Sequence, residues 1–172
     1  MGFSKETIAS ELQHVAKLNK KHLDELAELA FMRKAASMGF AVAKPWGDSD
    51  RYDVIVRSEK MFWRVQVKSV STKQPSTPSY RVKTTRGGGS STYSAEEIDF
   101  LVAYVFPKDV WYVFPAIVVA GRETVCLRPE SPKCRLLQYR EAWHLMKAPP
   151  VAAAAATSLA KPECAPLDAP ET

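Results

Sequence analysis

The chain is poor in the residues that staple small folds. Its 172 residues include three cysteines, Cys126, Cys134 and Cys164. An odd number without CxxC spacing fits neither a disulfide framework nor a zinc site. A reducing compartment follows, and a cytoplasmic protein is expected. Histidine is equally scarce: His14, His22 and His144 are scattered, with no ligand spacing. No apolar run nears the roughly 20 residues that cross a bilayer. Residues 1–10 are polar and lack the apolar stretch of a secretory signal, so no membrane partner is expected. No repeat is detectable. The glycine run Gly87, Gly88, Gly89 lacks the following lysine and hydroxyl residue of a nucleotide-binding P-loop. Acid is nearly missing from one block. Between residues 57 and 86 there are eight Lys or Arg and a single acid, Glu59, in a chain whose formal net charge is +5. Basic charge concentrated in this way is the footprint of a phosphate-backbone binder, or else a solvated face of a basic protein.

What is present reads as an ordinary globular chain, 46% hydrophobic and 25% charged. A helical pattern over residues 4–18, with Ser4 as N-cap, carries Ile8, Leu12, Val15 and Leu18 on one stripe. A stronger one over 22–38 repeats Leu23, Leu26, Ala27, Ala30 and Phe31, and Gly39 ends it. Strands are predicted over 40–44, 52–57, 61–70, 80–84, 98–106 and 110–114, with one or two edge strands within 117–127 and a helix over 136–146. The Ser58, Glu59, Lys60 link is short enough for a hairpin. Past residue 146 the composition changes: nine Ala, five Pro and no aromatics in 26 residues. Such a segment buries too little apolar surface to offset ordering entropy, and a disordered tail over 147–172 is expected. Helices, then strands, then a helix imply an α/β or α+β protein with a mixed sheet flanked by helices.

The chemistry centres on Asp53 in one predicted strand and Gln66, Val67, Lys68 in the next. Alternation puts Phe62, Arg64, Gln66 and Lys68 on one face and Trp63, Val65 and Val67 on the other, which is apolar. A lysine is rarely buried without a partner, and Asp53 is the obvious candidate. Phosphodiester hydrolysis needs a cation to neutralise developing charge, a water aimed in line and a held phosphate. Asp53 can ligate a hard cation through oxygen. Gln66 can add an amide oxygen, and the Val67 carbonyl a third. Lys68 can serve the attacking water or the transition-state charge. Read without a metal, the same residues would be a strand-end aspartate and two solvated strand residues.

The segments Pro45-Trp46-Gly47-Asp48, Arg51-Tyr52-Asp53 and Arg64-Val65-Gln66-Val67-Lys68 together resemble the PD-(D/E)XK nuclease superfamily. They are most similar to its group I intron-associated, homing-endonuclease-like branch, in which Gln replaces the usual acid in a D…QxK variant of the motif. Glu28, the Ile98-Asp99-Phe100 segment and the strand from Val110 to Pro115 resemble the family's helix-borne acid, later buried strand and trailing aromatic strand. Pro45 does not directly precede Asp53, a departure from the parent pattern. The resemblance implies a restriction-endonuclease-like core over 22–146, preceded by a helical extension over 1–21. It also implies a Mg²⁺- or Mn²⁺-dependent endodeoxyribonuclease acting on double-stranded DNA as a dimer or tetramer. Asp53, Gln66, Lys68 and Glu28 would be catalytic, and Asp53, Gln66 and Val67 would hold the metal. Glu28 is favoured over Glu25 because it flanks the apolar helix stripe, whereas Glu25 falls nearly opposite. Asp99 reads as structural. Lys73, Arg81, Lys83, Arg86 and Tyr93 are candidate DNA contacts, the cations giving affinity and salt dependence rather than sequence choice. The four tryptophans read as core or cleft lining. The rival reading is a catalytically silent nuclease fold used for DNA binding or assembly, since a neutral Gln66 weakens cation binding.

Overall fold

The computed structural model of the chain describes residues 19–47, 49–86 and 91–147. The helix expected over 4–18, the glycine run and the tail beyond residue 147 lie outside the described residues.

The first described element is helix α1, Lys20–Ser37. It begins two residues earlier than its apolar pattern, because the Asn19 side chain accepts from the His22 N–H at 2.9 Å and caps it. Leu23, Ala27, Phe31 and Ala35, spaced by four, are its buried stripe. Gly39, at φ 89°, lets the chain turn away. Strand β1 (Ala41–Ala43) is short. Strands β2 (Val54–Ser58) and β3 (Met61–Val70) form a hairpin whose two-residue turn has Glu59 at φ 54°.

Strand β4 (Tyr80–Lys83) leaves the main sheet. Strands β5 (Phe100–Val105) and β6 (Val110–Pro115) return to it, and β7 (Thr124–Leu127) pairs with β4. The five-stranded sheet has the order β1-β2-β3-β5-β6. Only the central β3–β5 pair is parallel, with Val67 opposite Val102 and Lys68 opposite Ala103. The β4–β7 ribbon is antiparallel, with Arg81 opposite Cys126.

Two cores sandwich the sheet. On one side Val54, Val56, Val65, Val67 and Val102 pack against α1 and a cluster of Phe31, Trp111 and Trp143, with ring centroids 5.7–5.9 Å apart. On the other, Leu101, Ala103, Tyr112 and Phe114 pack against Tyr80 and Val82 of β4, Val125 and Leu127 of β7, and Tyr93. The mixed α/β class inferred from element order is the observed one. The alternation inferred for β3 is also observed: Val65 and Val67 face the helix side, and Gln66 and Val70 the other.

The 117–127 segment holds one strand of the one or two expected there, β7, after a short helix, α2 (Ala116–Val119). One expectation needs correction. Residues 136–146 are two 3-10 turns, Leu137–Tyr139 and Trp143–Met146, rather than one helix. The break is Glu141, at φ 50°. Its N–H donates to the Trp111 carbonyl at 2.8 Å, and its carboxylate accepts from the Trp111 N–H and Trp143 Nε1, each at 2.8 Å. Docking on the edge of β6 interrupts the helical ladder there. No helix among the described residues is long and apolar enough to cross a membrane.

Candidate active site

The site forms where β2 stops pairing before β3 does. The last register pair is Val54 with Val65. Asp53 still donates its N–H to the Val65 carbonyl at 2.9 Å, which sets it beside Gln66 on the same sheet face. Beyond that point Val67 has no backbone partner on the β2 side among the described residues. Its N–H, which a longer β2 would have satisfied, donates to Asp53 Oδ2 at 2.8 Å. Gln66 Nε2 also donates to Asp53 Oδ2, and reaches the Val67 carbonyl at 3.3 Å. Thus one Asp53 oxygen takes two hydrogen bonds, while Oδ1 takes none among the described residues.

Gln66 is only 6% exposed. A buried amide needs partners, and here it finds them in a carboxylate and a carbonyl. Lys68, two residues on, lies on the same face, with Nζ 5.3 Å from the centroid of the Tyr93 ring, a cation–π distance. Tyr93 itself is 5% exposed and belongs to the second core. Its ring floors the site, and burial leaves it little surface for a ligand.

Burial pushes the Asp53 carboxyl up, to about 6. The Val67 N–H opposes this, the Glu28 charge adds to it, and Lys68 and Gln66 oppose it more weakly. Negative charge at this point is therefore under-compensated by the chain itself. Glu28, on α1, has a side chain 17% exposed and pairs with Lys44 Nζ at 2.5 Å, while Glu25 is exposed. The helix is held in place one turn earlier, where Asp24 accepts from Ser69 Oγ at 2.8 Å. Asp24 and Ser69 were not singled out from the sequence. The signal available was the i,i+4 spacing of Asp24 and Glu28, which puts both on one helix side.

Among the described residues no group of three or more His, Cys, Asp or Glu is placed to hold a metal ion. The groups that do converge are the Asp53 carboxylate, the Val67 carbonyl and the Gln66 amide, whose Nε2 faces both oxygens, with Glu28 adding charge. Carboxylate and carbonyl oxygens suit a hard divalent cation, and the Gln66 amide has an oxygen of its own to add if it turns over.

Arg64, on the same strand face, is drawn off elsewhere. Asp99 accepts from its backbone N–H at 2.7 Å, from Nε at 3.1 Å and from Nη2 at 3.0 Å, and Asp99 returns its own N–H to the Arg64 carbonyl. Asp99 is thus structural, joining the starts of β3 and β5. Of the candidate DNA contacts, Arg81 and Lys83 project from the exposed face of β4. Arg86 is exposed beside the Thr85–Thr92 bridge. Lys73 lies 3.5 Å from Glu130. Trp63, Trp111 and Trp143 are core residues as expected, but Trp46 is not: it is fully exposed on the loop between β1 and β2. His22 and His144 are exposed.

Comparison with known proteins bears on the family and the fold. Protein 5.3 of Escherichia phage T7 is 30% identical over 111 residues, 64% of this chain and 92% of that protein. The structure of the bacterial homing endonuclease I-Ssp6803I matches with a TM-score of 0.64 at 33% identity, covering 81% of this chain and 96% of that one. The sequence model of the PD-(D/E)XK endonuclease family matches residues 18–146, the span that holds every site residue described above. This chain belongs to the PD-(D/E)XK endonuclease family.

Proposed function

We propose that the protein is a Mg²⁺- or Mn²⁺-dependent endonuclease that hydrolyses phosphodiester bonds of double-stranded DNA. We place it in the homing-endonuclease-like branch that carries Gln in place of an acid. The observation that carries this reading is the meeting of the Asp53 carboxylate, Gln66 amide and Val67 carbonyl beside the Lys68 ammonium, at a point where the chain leaves negative charge under-compensated. A bound cation would supply neutralisation of the charge that builds on the phosphoryl oxygens.

The chain's own residues do the rest. Asp53 keeps Oδ2 engaged with Val67 and Gln66, which fixes its plane and leaves Oδ1 to ligate. Gln66 is a two-way group. As it stands, its N–H₂ satisfies two acceptors. Turned over, its Oε1 would make a third oxygen facing the first two, an arrangement that is stable only around a cation. Lys68, held over Tyr93, can donate to the attacking water or to a non-bridging phosphate oxygen, steadying charge in the transition state. Glu28 adds negative charge that strengthens cation binding. Lys73, Arg81, Lys83 and Arg86 would contact the DNA backbone, and Tyr93 would act from beneath Lys68. A single site cuts one strand, so cutting both in one encounter calls for a dimer or tetramer.

The test is supercoiled plasmid incubated with Mg²⁺ or Mn²⁺, beside the Lys68→Ala variant. Metal-dependent nicking that the variant loses by a factor of 100 or more, on the order expected for a lost transition-state donor, is the expected result. DNA retardation without cleavage, unchanged in the variant, would overturn the hydrolytic reading in favour of a silent DNA-binding module.

A further inference from the structure

Four tryptophans serve this chain, and three are used alike. Trp111 and Trp143 are buried against Phe31, and Trp63 packs edge-on to Phe100 with its indole N–H donating to the Met146 carbonyl. Trp46 is 100% exposed, and among the described residues its ring meets no other ring. An indole left in water forgoes burying roughly 150–250 Å². Its neighbours do not make it part of an apolar patch, because Lys44, Gly47, Ser49 and Asp50 are also exposed and are polar or lack a side chain. A protein interface centres on clustered apolar groups, and this position has a single aromatic amid polar ones.

The loop's place in the fold is equally specific. Lys44, at its start, is tied to Glu28. At its far end Arg51 pairs with Glu97 at 3.3 Å and Asp53 is locked to Val67. Both ends are therefore anchored at the candidate active site. Trp46 itself sits between Pro45 and Gly47, the latter at φ 80°, a turn that sets the direction of the ring. The antiparallel register of β1 and β2, with Ala43 opposite Ile55, runs on to bring Pro45 toward Asp53, so a strand held at Asp53 passes close to Trp46. Every base offers a π-face once it is unstacked, so an exposed indole can take a base lifted from the duplex beside the cut without reading hydrogen bonds.

We propose that Trp46 is a nucleobase-stacking residue, which receives a base flanking the scissile phosphate and so positions the DNA strand over Asp53 and Lys68. This rests on the nuclease reading of the site, and its test separates the two. The probe is a fluorescein-labelled mixed-sequence duplex, titrated at low salt in EDTA against the full-length wild type and the Trp46→Ala and Trp46→Phe variants. Because the other indoles are packed, the water-exposed emission belongs mainly to Trp46.

DNA should quench that emission and shield it from acrylamide. Trp46→Ala should weaken binding several-fold, less than the roughly 5- to 150-fold of one stack on a single strand because unstacking the duplex offsets part of it, and Trp46→Phe should restore most of it. Unchanged thermal melting of both variants would show that folding is intact. Equal affinity of Trp46→Ala and wild type, or an emission indifferent to DNA, overturns the proposal while leaving the nuclease reading untouched. So does an indole already shielded in the free protein whose removal splits an oligomer in sedimentation, since its partner is then a second copy. DNA binding with Trp46 protected but no plasmid cleavage upholds the stacking role and refutes the hydrolytic one. A wild type that binds no DNA refutes both.

Discussion

Replacing Asp53 with Asn should make the metal-free protein more stable at neutral pH, although it removes a side chain that accepts two hydrogen bonds. Both bonds end on Oδ2, and the Asn carbonyl can accept them in the same place. What the change removes is a charge that burial disfavours. The Asp53 carboxyl loses its proton near pH 3.8 when ordinary, and only at about 6 in the fold. Between those values the folded chain holds a proton that the unfolded chain has released, so stability falls as pH rises through this window. The full difference corresponds to about 3 kcal/mol. Partial exposure and a compact unfolded state reduce it, and about 1–3 kcal/mol is expected.

Urea denaturation from pH 4.5 to 8.5 in EDTA measures the effect. Wild type should lose stability across pH 4–6, and Asp53→Asn should lose less and exceed wild type at pH 8. Adding Mg²⁺ or Mn²⁺ should reverse the order. A cation at a hundred times its dissociation constant stabilises wild type by about 2.7 kcal/mol. That gain should fade below pH 6, where protons compete for Asp53, and be absent in the variant. If Asp53→Asn is the less stable protein at pH 8 in EDTA, with its acid slope unchanged, the account of the site as under-compensated negative charge is wrong.

Asp99→Ala should destabilise the fold by about 2 kcal/mol, because the Arg64 backbone N–H and guanidinium both lose their acceptor. Burial works to raise the Asp99 carboxyl, but hydrogen bonds from Arg64 outweigh it and hold it below the ordinary value. This contribution is therefore present above pH 3.8 and lost as pH falls below it, which the same denaturation series would detect. Arg81→Ala combined with Lys83→Ala should weaken DNA binding uniformly across sequences and reduce the slope of log affinity against log salt by about 2. An unchanged slope removes the β4 face from the interface. Tyr112→Phe should stabilise the protein by about 1 kcal/mol, since the Tyr112 hydroxyl is buried without a hydrogen-bond partner among the described residues. A variant that melts lower would mean that the hydroxyl is satisfied in solution.

The parts of the fold legible beforehand are those set by local periodicity. Strand β3 was delimited to the residue, Met61 to Val70, around an apolar–polar alternation that runs from Trp63 to Lys68, and Glu28 was chosen over Glu25 by helical angle alone. What escaped depends on contacts distant in sequence. The Arg64–Asp99 clasp joins positions 35 apart, so Arg64 read as a free cation in a basic block. Glu141 ends a helical pattern only because it docks on Trp111, thirty residues earlier. Trp46 read as core or cleft lining because residue type predicts burial well on average. Exposure is a property of where its loop leaves the sheet, which no window of residues contains.

The same division runs through the candidate site. Residue types and strand spacing suffice to bring Asp53, Gln66 and Lys68 to one face. They do not say that β2 ends two residues short of covering Val67. That early end frees a backbone N–H and carbonyl at the edge of β3, lets the Asp53 side chain take the place of a missing strand, and draws Gln66 Nε2 between two oxygens. A strand two residues longer would satisfy Val67 with backbone and leave Asp53 to solvent. The site is thus made by an interrupted ladder as much as by its side chains. An acid at position 66 would set two carboxylates against each other there, whereas Gln66 lets the metal-free protein satisfy itself with an internal hydrogen bond. Under the metal-dependent reading proposed above, the neutral side chain that would weaken cation affinity is, by the same chemistry, what lets these groups satisfy one another without an ion.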